Sequence, residues 1–331
     1  MAQLKTTNDA GAALTLMLLA PLLTEVLPGA TRLSSIFVLP IEIFVWGGGA
    51  LLIRYALRRW RLGWPAMLLM AFALALAEEC IIQQTSVAPL VIHIKGVEYA
   101  RALGINYVYL IWALLYESVF VVVVPIYLVE LIFASRRERL WINKGGMFAV
   151  IALFVLGSFL AWFSWTRIAR PKFFHLPIYT PPVGTTVIAL LVIAGLIVVA
   201  FRSGGKRVVR SMKPPPGWLL FIAGGLWSTA LFGLLLMAFG IAPEFPVLLS
   251  VSWGIVLFLI GLLLLPRWAL DTSGIYILLF GTILGSMAVS FVGFGGGKDL
   301  YFKIIVDVIA LLLLILLGRR ILTSSHAIET K

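Results

Sequence analysis

Long apolar runs separated by short polar stretches organise this chain from end to end. They read as 11–28, 34–57, 64–87, 105–133, 146–166, 183–201, 217–239, 245–266, 273–293 and 301–321. Each run is continuous and rich in Leu, Ala, Ile and Gly. It does not alternate with the period of two that marks the strands of a membrane barrel. A helix rises about 1.5 Å per residue, so roughly 20 apolar residues cross about 30 Å of hydrocarbon with every backbone group bonded internally. The pattern predicts an all-α, polytopic transmembrane helix bundle of about ten spans. The second and fourth runs are long enough to tilt. The first reads as a span, because Leu27-Pro28-Gly29-Ala30 is a weak cleavage site for a signal peptide.

The polar stretches predict the sidedness. With the N-terminus inside, 18 of the 26 Lys and Arg fall on the cytoplasmic side and 8 on the other, which predicts an N-in, C-in topology. Two outer segments are long. Residues 88–104 set His93, Lys95, Glu98 and Arg101 among apolar neighbours, which suits a short helix in the headgroup region. Residues 167–182, with Phe173, Phe174, Tyr179 and several prolines, suit an extended segment anchored by interfacial aromatics. Phe294-Gly295-Gly296-Gly297-Lys298-Asp299 lacks the further Gly and the Ser or Thr of a phosphate loop and reads as an outer turn. Gly47, Gly48 and Gly49 in the second run, and Gly281, Gly285 and Ser286 in the ninth, predict close helix packing.

Composition narrows the class. Apolar residues make up 62% of the chain and charged residues 12%, against about a quarter charged in soluble domains, which excludes a water-soluble enzyme and a disordered chain. The net charge of +12 sits in short clusters between spans, so its partner is the bilayer, with anionic lipid at the cytoplasmic loops, and no nucleic acid. This reading places the protein in the inner (plasma) membrane. Cys80 is the single cysteine, inside a run, and reads as a packed thiol. The Trp and Tyr residues read as interfacial belts and core packing. The chain is read as one membrane domain, an N-terminal half (1–145) holding nearly all the acids within runs and a C-terminal half (146–331), without a repeat beyond five runs in each.

Acids inside spans are costly and ask for a reason. The first four runs hold Glu25, Glu42, Glu78, Glu79, Glu117 and Glu130, and the later runs offer Asp307. Counting along the helices places Glu42, Glu79 and Glu117 about 12–18 Å below the outer face, in one layer. Gln83, four residues after Glu79, shares its helical face, and Thr85, Ser86, Tyr116 and Ser118 add hydroxyls. The binding residues are therefore Glu42, Glu79, Gln83 and Glu117, around a pocket open to the outside. Three carboxylates at low dielectric do not all stay ionised: protons or a bound cation must neutralise them. Glu25, beside Arg32, and Glu130, beside Arg136, read as helix-end residues.

Glu78-Glu79-Cys80-Ile81-Ile82-Gln83 resembles the Glu-Glu-x-x-x-Arg motif of the CAAX-protease and bacteriocin-processing family of intramembrane proteases, with Gln83 in place of the Arg. Glu117 stands where a second-motif His is expected. The resemblance implies a membrane-embedded hydrolase or transferase with Glu78 and Glu79 as general acid and base, and in that family histidines on later helices help activate water. Two other classes stand beside it. One is a protein that binds or transports a cation or a small or amphiphilic solute through the carboxylate pocket, and the other is an accessory subunit of a larger membrane complex. No cofactor follows from the residues; His93 and His175 together are a minor alternative as ligands of a haem or chlorin.

Overall fold

The computed structural model describes residues 9–204, 212–263 and 267–329. Lys5, Lys206, Arg207, Arg210 and Lys331, which carry part of the basic asymmetry, lie outside them. The ten apolar runs form ten helical rods: α1 (Ala10–Val26), α2 (Leu33–Arg59), α3 (Trp64–Ile82), α4 (Tyr107–Ile132), α5 (Lys144–Lys172), α6 (Val183–Ser203), α7 (Gly217–Ala238), α8 (Val247–Gly261), α9 (Thr272–Gly293) and α10 (Gly297–Thr323). Eight are long and apolar enough to cross a membrane, while α1 and α8 are shorter apolar helices. The protein is an all-α polytopic helix bundle.

Of the eight membrane-length helices α3 and α4 are the innermost. In α3 and α4, 61% of the apolar stretch is buried inside the protein, against 17% in α5 and α10 and 11% in α6. The first four helices form a core around Leu16, Trp46, Leu51, Met67, Val122 and Val129. On its other faces α4 meets α7, α8 and α9, through Trp112, Tyr116 and Phe120 against Leu231, Phe232 and Leu257. The peripheral α5 and α6 lean on α2 and α3. Small residues set the closest crossings: a Cβ on Gly281 would stand 2.1 Å from the Phe221 carbonyl oxygen, and one on Gly47 would stand 2.2 Å from that of Met17.

Among the described residues the bonds between connectors fall into two groups. At one end Asp9 bonds Trp141 and Arg136, Gly63 bonds Gly204, and Met212 bonds Arg267. At the other, Ile94 bonds Phe239, Tyr99 bonds Phe245, Arg32 bonds Gly293, and Arg170 bonds Pro89. Odd and even connectors thus gather at opposite ends, as successive crossings require.

Two segments depart from the sequence expectation. Residues 88–104 do not form an interfacial helix; they are turns ending in a two-stranded antiparallel hairpin, β1 (Arg101–Ala102) and β2 (Ile105–Asn106). Gly96, Ala100, Leu103 and Gly104 all have positive φ, which a right-handed helix does not admit. The buried Asn106 amide donates to the Thr85 and Ala88 carbonyls and pins the segment inward as a strap. Residues 167–182 are not extended from their start, since α5 runs on to Lys172.

Candidate functional site

Five π-helical turns interrupt the described helices: Leu22–Val26, Ile43–Gly47, Glu78–Ile82, Ser118–Val123 and Ser164–Ala169. Glu25, Glu78 and Glu79 lie within such turns, and Glu42 and Glu117 immediately precede one. A π turn inserts one extra residue into the α ladder, which re-aims side chains, frees a carbonyl and is frequent at functional sites. The hydroxyl of Tyr116 on α4 donates to the Thr24 carbonyl inside the first turn, at 2.5 Å.

The five glutamates converge from four helices. The carboxyl groups of Glu79 and Glu117 lie within hydrogen-bonding reach of each other. Glu79, Glu25 and Glu42 act electrostatically on Glu78, Glu42 and Glu79 on Glu25, and Glu78 and Glu25 on Glu117, so the five lie near one another. Three of the five have a donor from a neighbouring side chain. Trp46 Nε1 donates to Glu25 at 3.0 Å, Thr31 to Glu42 at 2.5 Å and Ser86 to Glu79 at 2.5 Å. Both oxygens of Glu78 and Oε2 of Glu42 are buried without a hydrogen-bond partner. Among the described residues none of the five pairs with a Lys, Arg or His, whereas Asp9, Glu98, Glu130, Glu138 and Asp307 all do.

Several sequence expectations are corrected here. Glu25 stands in the last turn of α1, as expected, but its carboxyl group bonds Trp46 and not Arg32, whose guanidinium goes to the Gly29 and Gly293 carbonyls. Glu130 pairs with Arg54 and Arg58 rather than Arg136, whose partner is Asp9. The expected outward-open pocket is closed over, because Gln84–Ala88 are buried and Ser86 is tied to Glu79. Gln83 follows the π turn, its backbone N–H donating to the Glu78 carbonyl five residues back, and it is half-buried. The cavity lined by Arg54, Arg58, Trp64, Tyr127 and Glu130, about 130 Å³, lies at the opposite end of the bundle. His93 sits in the strap and His175 in the connector after α5, outside the layer.

The layer can hold protons between carboxyl groups. Among the described residues no three His, Cys, Asp or Glu side chains are arranged to hold a metal ion. The fold defines the class: a multi-pass, membrane-embedded helical protein. Comparison with protein-family models, curated proteins and solved structures finds no match to this chain.

Proposed function

We propose that this protein is a carrier of the inner (plasma) membrane whose glutamate layer takes up protons and couples them to the passage of a small solute. One observation carries the reading: Glu79 and Glu117 face each other within hydrogen-bonding reach, beside a Glu78 whose two oxygens have no partner. Two carboxyl groups in that relation need a shared proton, because a pair of carboxylates at contact distance in a poorly solvated place repel strongly. With no basic partner beside them, protons supply the neutralising charge. The strap over the layer then corresponds to a closed arrangement that must open for exchange.

The experiment counts protons. The purified full chain in detergent is stepped across about pH 5 to 8 in weak buffer with an indicator dye, a range in which isolated Glu side chains contribute little. We expect Glu79→Gln and Glu117→Gln each to exchange about one proton fewer per molecule than the wild type while unfolding at a similar temperature. Equal proton counts in all three proteins overturn the reading.

The facing pair also favours a second reading, a membrane-embedded hydrolase akin to the intramembrane proteases that Glu78-Glu79 resembles. Two carboxyl groups sharing one proton can polarise a water for attack on a carbonyl. Here Glu79 and Glu117 take the acid and base roles. Turnover of peptides in detergent without a gradient, lost in Glu79→Gln, replaces the carrier reading with this one.

A further inference from the structure

Among the described residues two arginine side chains are fully buried, and they are treated in opposite ways. Arg54 and Arg170 are each 1% exposed. Every guanidinium nitrogen of Arg54 is engaged, by Glu130 and by the carbonyls of Arg137 and Arg139. Arg170 has one hydrogen bond, from Nη2 to the Pro89 carbonyl at 3.0 Å, while Nε and Nη1 are buried without a partner.

Its surroundings do not supply the missing acceptor. The charged and titratable groups acting on Arg170 are Arg101, Tyr179 and Glu98. Glu98 is already bound by Arg101 at 3.1 Å, and Arg101 also donates to Asn106 and to the Val87 carbonyl. The nearby carboxylate is thus already taken up by Arg101, and Arg170 keeps two buried donors without an acceptor. Trp165 Nε1, five residues before Arg170 across the last π turn, is a further buried donor without a partner. Unsatisfied donors around an uncompensated cation are what an anion-binding site offers, since charge-assisted hydrogen bonds to carboxylate or phosphate are the strong ones.

We propose that Arg170, at the end of α5 and under the strap, binds the anionic group, carboxylate or phosphate, of a soluble solute or a lipid headgroup. The site adjoins the glutamate layer. Pro89, which Arg170 holds, is three residues from Ser86, which holds Glu79, a stretch of at most about 11 Å. Tyr179 packs with Cys80 and Val87, next to Glu79. If the proton-coupled reading holds, on which this last step rests, a soluble occupant is the carried solute and enters as an anion with a proton.

The test uses the full chain in non-ionic, phosphate-free micelles at constant ionic strength. Inorganic phosphate, acetate and phosphatidylglycerol are added in separate arms while thermal unfolding is followed. We expect a saturable rise in unfolding temperature with at least one of them, weakened about tenfold or more in Arg170→Gln and retained in Arg139→Gln, an exposed arginine at the other end of the bundle. A response to phosphate or acetate assigns a soluble anion, and a response to phosphatidylglycerol alone assigns a headgroup. No response in any arm, or an equal response in Arg170→Gln, overturns the site. Should Arg170→Gln fail to fold, Arg170→Lys keeps the charge but not the planar fork and must also bind more weakly; undiminished binding by it overturns the proposal. The proton count and the anion-dependent unfolding shift are separate readouts, so loss of the proton reading and loss of this site are separately visible.

Discussion

Arg54 shows how a charge survives inside an apolar bundle. Its guanidinium meets Glu130 at 3.1 Å, donates to two carbonyls and lies over the Trp141 ring. Glu130 is shared with Arg58, at 2.7 Å, and Arg58 reaches the exposed Glu138. Breaking a buried pair from one side strands the other charge, at about 3–5 kcal/mol, whereas an exposed pair is worth about 0–1 kcal/mol. We therefore expect Glu130→Gln to lower the unfolding temperature strongly and Glu138→Gln, at a carboxylate that is 71% exposed, hardly at all. Thermal melts of both variants in one detergent check this, and equal effects would show that the pair does not anchor this end. The partner was not legible in the chain, where Arg136 stands nearer to Glu130. The pairing with Arg54 spans 76 residues and depends on how α2 and α4 pack.

Helices that look uninterrupted in sequence carry five π turns in the fold, and the glutamate layer is built on four of them. A π turn is an α-helix with one residue too many, tolerated where neighbouring packing holds both flanks in place. Removing one residue within it should restore the regular ladder and turn the carboxyl groups away without disturbing either flank. We expect deletion of Cys80, inside Glu78–Ile82, to leave a membrane-inserted protein that still unfolds cooperatively but exchanges about one proton fewer, as Glu79→Gln does. Deletion of Ala71 in the regular part of α3 rotates everything beyond it by about 100° and should abolish folding. If the Cys80 deletion keeps the full proton count, the turn does not aim the carboxyl groups.

Over the whole molecule, the connectors segregate to two ends, and the basic asymmetry of the sequence leads us to expect that the Arg54–Glu130 end faces the cytoplasm. Cys80 is buried, so cysteines introduced elsewhere label against a low background. We expect Arg59→Cys, between α2 and α3, and Leu103→Cys, on the hairpin where Leu103 is 91% exposed, to react with an impermeant maleimide from opposite sides. Arg59→Cys should label only after the cytoplasmic face is opened. Labelling of both from outside would overturn the topology.

Ten helices, their approximate limits and the concentration of acids in the first four runs follow from the chain alone. Hydrocarbon demands continuous apolar runs of a set length, and the cost of a charge inside them marks each exception. The small residues at Gly47, Gly281 and Gly285 were legible for the same local reason, as places where backbones approach. The membership of Glu25 in the layer, the facing of Glu79 and Glu117, the closure of the strap and the isolation of Arg170 arise between segments far apart in sequence. Each depends on an inserted residue that rotates a side chain, or on a partner brought in by packing. Neither leaves a period or spacing to read, because the free energy that selects it belongs to the assembled bundle and to no single helix.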